Sequence, residues 1–103
     1  MNDTVTLEEL EELRSGPKPP KIIDVRRQTD RENDPLTIPG SEWRDPEKAA
    51  EWGREYSGSE TVVYCARGGS VSRTVLAKLR EQGIDAKYIE GGIEAWKQSV
   101  KKV

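Results

Sequence analysis

The sequence predicts a small α/β domain, with a twisted, mainly parallel β-sheet flanked by helices on both faces. Three observations carry that prediction. Short apolar or β-branched runs (Lys21–Val25, Thr61–Tyr64, Ala86–Ile89) alternate with segments of helical period. Helix-start signals precede those segments, and glycine-rich turns follow the strands. Alternation of this kind joins parallel strands through crossover helices. At 103 residues, 33% hydrophobic and 35% charged, the chain fits a single domain, 1–103, with a modest core.

The elements follow in order. Thr6-Leu7-Glu8-Glu9 is a capping box, and Leu7, Leu10 and Leu13 then share one helical face that Gly16 can close. Val5 suits a short edge strand before it. Pro17, Pro19 and Pro20 stiffen the link to the buried strand Lys21–Val25. Arg27 to Thr37 is polar and irregular, with room for one helical turn, and Ile38-Pro39-Gly40 is a turn with an apolar anchor. Asp45-Pro46-Glu47 opens a helix to about Tyr56, with Ala49, Trp52 and Tyr56 facing the core. A strand from Thr61 to Tyr64 leads to Cys65. A helix from about Val71 to Gln82 ends at Gly83. Ala86–Ile89 is the next strand, Glu90-Gly91-Gly92 a turn, and a last helix from Ile93 buries Trp96. Lys97, Lys101 and Lys102 suit a solvated helix end.

Composition removes several function classes. The net charge is −2, so no basic excess points to nucleic acid or a membrane surface. A single cysteine makes no internal disulfide, no secretory signal shows and no apolar run reaches membrane-spanning length. A reducing, cytoplasmic setting is the expectation. No large apolar face is evident, so a monomer is expected. The chain has no histidine, which removes Ser-His-Asp and Cys-His hydrolases and leaves little for a metal site. No cofactor is called for. A nucleophile here must be activated by backbone dipoles and cations.

That nucleophile is Cys65, at the end of the run Val62-Val63-Tyr64. Ala66, Arg67, Gly68, Gly69, Ser70 and Val71 follow it into the next helix. Such a loop aims several N–H groups into one space at the positive end of a helix. The two glycines allow positive φ and close backbone approach. An anion fits there, and the setting favours the thiolate. The thiolate can take the outer sulfur of a sulfane donor, and the same N–H groups then stabilise the charged persulfide. Neither half-reaction needs a general base. The bland alternative is a small buried cysteine before an ordinary turn.

Four motifs extend this reading: Ile23-Asp24-Val25-Arg26, Ile38-Pro39-Gly40, Tyr64-Cys65-Ala66-Arg67-Gly68-Gly69-Ser70 and Glu90-Gly91-Gly92-Ile93-Glu94-Ala95-Trp96. In this order they resemble the rhodanese family of single-domain sulfurtransferases, over about Lys21 to Trp96. The resemblance implies thiosulfate or a persulfide as donor, Cys65 as the persulfide carrier and Ala66 to Ser70 as its cradle. Acceptors would be cyanide in an assay, or a cellular thiol, thioredoxin or a sulfur-carrier protein. Three departures stand out. Ser70 occupies the place of the usual loop arginine, a cation that Arg67 or Arg73 can supply instead. Thr37 replaces a histidine, and the segment from Arg26 to Ile38 is slightly long and lacks the usual Glu-Tyr pair.

Asp24 and Arg26 are supporting residues, most simply as a strand-end ion pair and otherwise as substrate contacts. Trp43 and Trp52 suit the core, although Trp43 can line a pocket mouth. Two other functions compete with sulfur transfer. One is an anion-binding or sensor module without turnover, favoured by Ser70. The other is a phosphatase or arsenate reductase, which would need a bidentate arginine six residues after the cysteine, where Val71 stands.

Overall fold

Thr6 opens the first helix as its spacing requires. Its Oγ1 accepts the Glu9 N–H at 3.1 Å, and the Glu9 carboxylate accepts the Thr6 N–H at 3.0 Å. The bond from the Thr6 backbone, with that from its hydroxyl, holds the Glu9 carboxyl below the usual range. The structure is a computed structural model that describes residues 3–67 and 69–101, without the side chains of Val100 and Lys101. Gly68 and Lys102 therefore lie outside the described residues.

The elements are β1 (Thr4–Val5), α1 (Leu7–Arg14), β2 (Lys21–Asp24), α2 (Gln28–Asn33), β3 (Ser41–Trp43), α3 (Ala49–Trp52), β4 (Thr61–Tyr64), α4 (Ser70–Glu81), β5 (Ala86–Ile89) and α5 (Gly92–Lys101). The five strands form one sheet in the order β1-β5-β4-β2-β3, and every pairing is parallel. The connection after β2 runs outward to β3, and the connection after β4 runs the other way to β5. The carboxyl ends of β2 and β4 thus flank the switch point, where open α/β sheets bind ligands.

Strand alternation splits the core in two. Ile23, Val25, Val63 and Cys65 join Trp52, Tyr56, Val75 and Leu79 beneath α3 and α4. Ile22, Val62 and Tyr64 join Leu10, Ile89 and Ile93 beneath α1 and α5. Cys65 therefore faces the α4 side. No helix among the described residues is long and apolar enough to cross a membrane.

Several local expectations change. Ser41–Trp43 is a strand, a three-residue edge too short and polar to announce itself. The helix expected from Asp45 to Tyr56 divides into a 3-10 turn (Pro46–Lys48), α3 and a second 3-10 turn (Gly53–Tyr56). Asp45 does cap it, accepting the Glu47 N–H at 2.9 Å, and the Trp52 indole donates to the Asp45 carbonyl at 2.7 Å. Ser15, not Gly16, caps α1, and Gly16 has no left-handed backbone. Trp96 is half-buried, at the border of its cluster. Lys97 is drawn down to Asp34 and Glu94 rather than solvated.

Tyr64 ties the core to the Ile38-Pro39-Gly40 turn. Its fully buried hydroxyl accepts the Ile38 N–H at 3.3 Å and shares a hydrogen bond with Ser41 Oγ at 2.8 Å. Burial raises its phenol pKa, and Tyr56 shifts the same way for the same reason. An unfolded tyrosine ionises near pH 10 while these two stay protonated, so their stabilisation is complete below that pH and is lost as pH rises through the folded values. We expect Tyr64→Phe to cost about 1–3 kcal/mol at neutral pH, because it orphans the Ile38 N–H. The alkaline fall in stability should also flatten. Urea titrations at neutral and alkaline pH check both; an unchanged alkaline slope would remove Tyr64 from that account.

Candidate active site around Cys65

β4 carries Cys65 to the carboxyl edge of the sheet, where it is 5% exposed. The peptide groups after it are oriented from the other side of the molecule. Ile93 N–H donates to the Cys65 carbonyl at 3.0 Å, and Glu94 N–H donates to the Ala66 carbonyl at 3.1 Å. The first N–H groups of α5 are thus spent on the carbonyls of the loop. The N–H groups of Ala66, Arg67, Gly69, Ser70 and Val71 have no acceptor among the described residues. No side chain caps α4, whose N-cap is Gly69. Among the described residues nothing competes for these donors, which lie at the positive end of a twelve-residue helix, where an anion is favoured. Ser72, fully buried in the first turn of α4, adds a hydroxyl without a partner among the described residues.

Gly69 does not take the role expected of a loop glycine. Gly69 has φ −91°, not a positive φ, and a Cβ added to it would meet nothing within 4 Å. Gly68 lies outside the described residues. The demanding glycines are those of the turn before α5, Gly91 (φ +79°) and Gly92 (φ +60°). A Cβ on Gly92 would overlap the Cys65 carbonyl oxygen and stand 2.7 Å from the Ala66 carbonyl. The Gly91-Gly92 doublet was the available signal for this contact, but sequence alone does not say what it approaches.

The other predicted residues divide cleanly. Arg67 and Ser70 are exposed, and Ala66, Gly69 and Val71 are half-buried. Asp24 and Arg26 are both buried and bound to each other. Arg26 Nε donates to both Asp24 oxygens at 3.0 and 3.1 Å, and Nη2 donates to Oδ2 at 2.8 Å. The remaining donors reach the Asp34 carbonyl at 2.9 Å and the Leu36 carbonyl at 3.0 Å. The pair therefore straps the segment after β2 onto the sheet. Arg31 stands 3.5 Å from the same Asp24 carboxylate and lies over the Trp43 ring. Two guanidinium groups thus face one carboxylate at this strand end.

A cleft of about 420 Å³ opens beside the loop, lined among others by Arg27, Trp43, Glu47, Ser70 and Val71. Cys65 is not in its lining. Trp43 lines the cleft, its indole fixed by donation to the Arg26 carbonyl at 2.8 Å. Arg27 and Glu47 escaped the sequence reading, since isolated surface charges carry no pattern. Among the described residues no cluster of metal-binding side chains forms.

A model of the rhodanese-like domain matches residues 6–99. The chain belongs to the rhodanese-like domain family. Solved rhodanese-like structures agree with its architecture. A rhodanese-like domain protein from Staphylococcus aureus is 28% identical, with a TM-score of 0.78 over 93% of this chain and 91% of that one. A protein of unknown function from Rhodopseudomonas palustris, described as a possible tyrosine phosphatase, is also 28% identical, with a TM-score of 0.76 over 95% and 81%. A rhodanese-related protein from Thermoplasma volcanium, 22% identical, shares the fold with a TM-score of 0.76 over 93% and 91%. No curated protein matches the sequence significantly.

Gly92→Ala should cost about 2–5 kcal/mol, because the new methyl group meets backbone that cannot move aside and the residue is left at positive φ. Gly69→Ala should stay within about 1 kcal/mol of the parent. Equal losses in thermal denaturation would show that the two positions are not distinguished in this way.

Proposed function

We propose that this rhodanese-like domain is a sulfurtransferase that carries sulfane sulfur as a persulfide on Cys65. The single observation behind it is the pairing of a strand-end cysteine with backbone donors that have no acceptor among the described residues. A thiolate at Cys65 attacks the outer sulfur of thiosulfate. A new S–S bond forms, the S–S bond of the donor breaks, and sulfite leaves with the electron pair. The terminal sulfur of the persulfide is an anion, and the N–H groups of Ala66, Gly69, Ser70 and Val71 suit it without rearrangement. An acceptor nucleophile then takes that sulfur and returns the Cys65 thiolate. A cellular thiol, thioredoxin or a sulfur-carrier protein would serve as acceptor.

Arg67 is the cation for the donor in this scheme. It is exposed, adjoins the cradle and has no ion-pair partner among the described residues. Asp24 and Arg26 support the site by fixing the segment after β2, not by touching substrate. Phosphoryl transfer, suggested by the description of the Rhodopseudomonas palustris protein, finds Val71 six residues after Cys65, with no guanidinium to clamp a phosphate in two places.

Reduced protein mixed with thiosulfate should gain one sulfur atom in intact-mass spectrometry, lose it to cyanide or a thiol, and gain none as Cys65→Ser. Persulfide donors give the same adduct if thiosulfate is a poor donor. Absence of an adduct with either donor would leave anion binding without turnover as the function. Arg67→Ala should raise the KM for thiosulfate about three- to tenfold. Its melting temperature should stay unchanged, as for an exposed position. The reverse pattern, unchanged KM and lower stability, would assign Arg67 to the fold.

A further inference from the structure

Among the described residues the buried polar side chains are Asp24, Arg26, Thr61 and Ser72. Asp24 and Arg26 bond each other, and the Thr61 hydroxyl donates to the Ser59 carbonyl at 3.2 Å. Ser72 is 0% exposed, and its hydroxyl has no partner among the described residues. An orphaned buried hydroxyl costs stability, so its place in the fold matters. Ser72, Val75, Leu76 and Leu79 form the buried stripe of α4, and the last three pack in one cluster with Val63 and Cys65. α4 returns from the end of β4 to the start of β5, so it runs against the strands. Leu79 stands at the amino ends, where its carbonyl accepts the Ile84 N–H at 3.1 Å just before β5. Ser72, about two turns earlier, stands at the level of Cys65. Helical side chains lean toward the N-terminus of their helix. The Ser72 hydroxyl thus leans over the opening turn of α4, on the face turned to the sheet. β4 presents Cys65 to that same face.

We infer that the Ser72 hydroxyl is the hydrogen-bond donor that meets the Cys65 sulfur from the core side when that sulfur is a thiolate. The inference rests on the sulfur-transfer reading and adds a residue to its site. The loop N–H groups suit the outer sulfur of a persulfide, and Ser72 suits the inner one. The two side chains are not hydrogen-bonded in this structure. A serine rotor turns about χ1, and a thiolate accepts a hydrogen bond far better than a thiol or the inner sulfur of a persulfide. The contact therefore forms with the charge. When sulfite takes the outer sulfur, a new S–S bond forms in thiosulfate, the S–S bond to Cys65 breaks, and the electron pair returns to Cys65 Sγ. Ser72 stabilises that returning charge and keeps its own proton. Loading by thiosulfate is the reverse, and there the hydroxyl gives up its partner.

The test compares Ser72→Ala with the parent protein and with Ser72→Thr, which keeps a hydroxyl. At a fixed ratio of thiosulfate to sulfite, intact mass reads the loaded and free forms at equilibrium. Loss of the hydroxyl destabilises the free thiolate alone, so Ser72→Ala should raise the loaded-to-free ratio about tenfold. Ser72→Thr should keep the parent ratio. The melting temperature of Ser72→Ala should not fall, because the group removed is one the fold leaves unbonded. An unchanged ratio overturns the inference. So does a ratio that falls together with the melting temperature, the mark of a hydroxyl bonded within its own helix. A second readout needs no sulfur transfer. The ultraviolet thiolate band of Cys65, taken at alkaline pH as the difference from Cys65→Ser, should move to longer wavelength in Ser72→Ala. A hydrogen bond to the thiolate lowers its ground state more than its excited state, from which charge has left the sulfur. If the protein cannot be loaded at all, the sulfur-transfer reading fails and the band decides on Ser72: a shift keeps the contact, and an unmoved band overturns it.

Discussion

Two hydrogen bonds from the start of α5 decide which way the peptide groups after Cys65 face. Ile93 and Glu94 take the carbonyls of Cys65 and Ala66, so the N–H side of the loop is left to the site. Neither bond could form if the α5 turn stood further away. Gly92, at positive φ and almost in contact with the loop backbone, permits that approach. The cradle is therefore a joint property of two segments about twenty-five residues apart in sequence. Its donors are backbone groups held by secondary structure, which need little reorganisation when charge develops.

The opposite wall depends on a buried charge. Arg26 and Asp24 are withdrawn from water, which is tolerable because the guanidinium is forked onto the carboxylate and its remaining donors find the Asp34 and Leu36 carbonyls. Through those bonds one side chain anchors a polar segment whose helix, α2, buries no residue of its own. Lys97 holds the same segment from α5 by reaching Asp34. The Trp43 indole, bonded to the Arg26 carbonyl, is fixed by the same strap. The strand end and the cleft wall thus share one support.

The order of elements was legible because each carries a local signal. The Thr6 capping box, the β-branched run before Cys65 and the period of Val75, Leu76 and Leu79 are all consequences of short-range physics. β3 was not legible, since three edge residues with one outward glutamate have no pattern of their own. The division of the helix after Asp45 was hidden too, because the cap and apolar spacing that mark a helix start do not say how tightly the turns wind. At the site, Cys65 and the residues after it stood out by type and spacing. The role of Gly92 did not, because a positive φ can be guessed from a glycine pair but a contact with a distant carbonyl cannot. Arg27 and Glu47 become conspicuous only when the fold shows them facing one cleft unpaired.

The sheet order has a consequence for how the molecule is made. β5 lies between β1 and β4, so the first strand has no neighbour to join until residues 86–89 have been synthesised. α5 follows β5 and is the last element of the domain to leave the ribosome. During synthesis the cysteine loop therefore exists before the hydrogen bonds that orient it. A chain stalled between Gly69 and Ala86 carries the thiol without the α5 bonds that orient its loop and leaves an open sheet edge on β4, a species prone to mispairing. Maturation of the site and closure of the domain are the same late event.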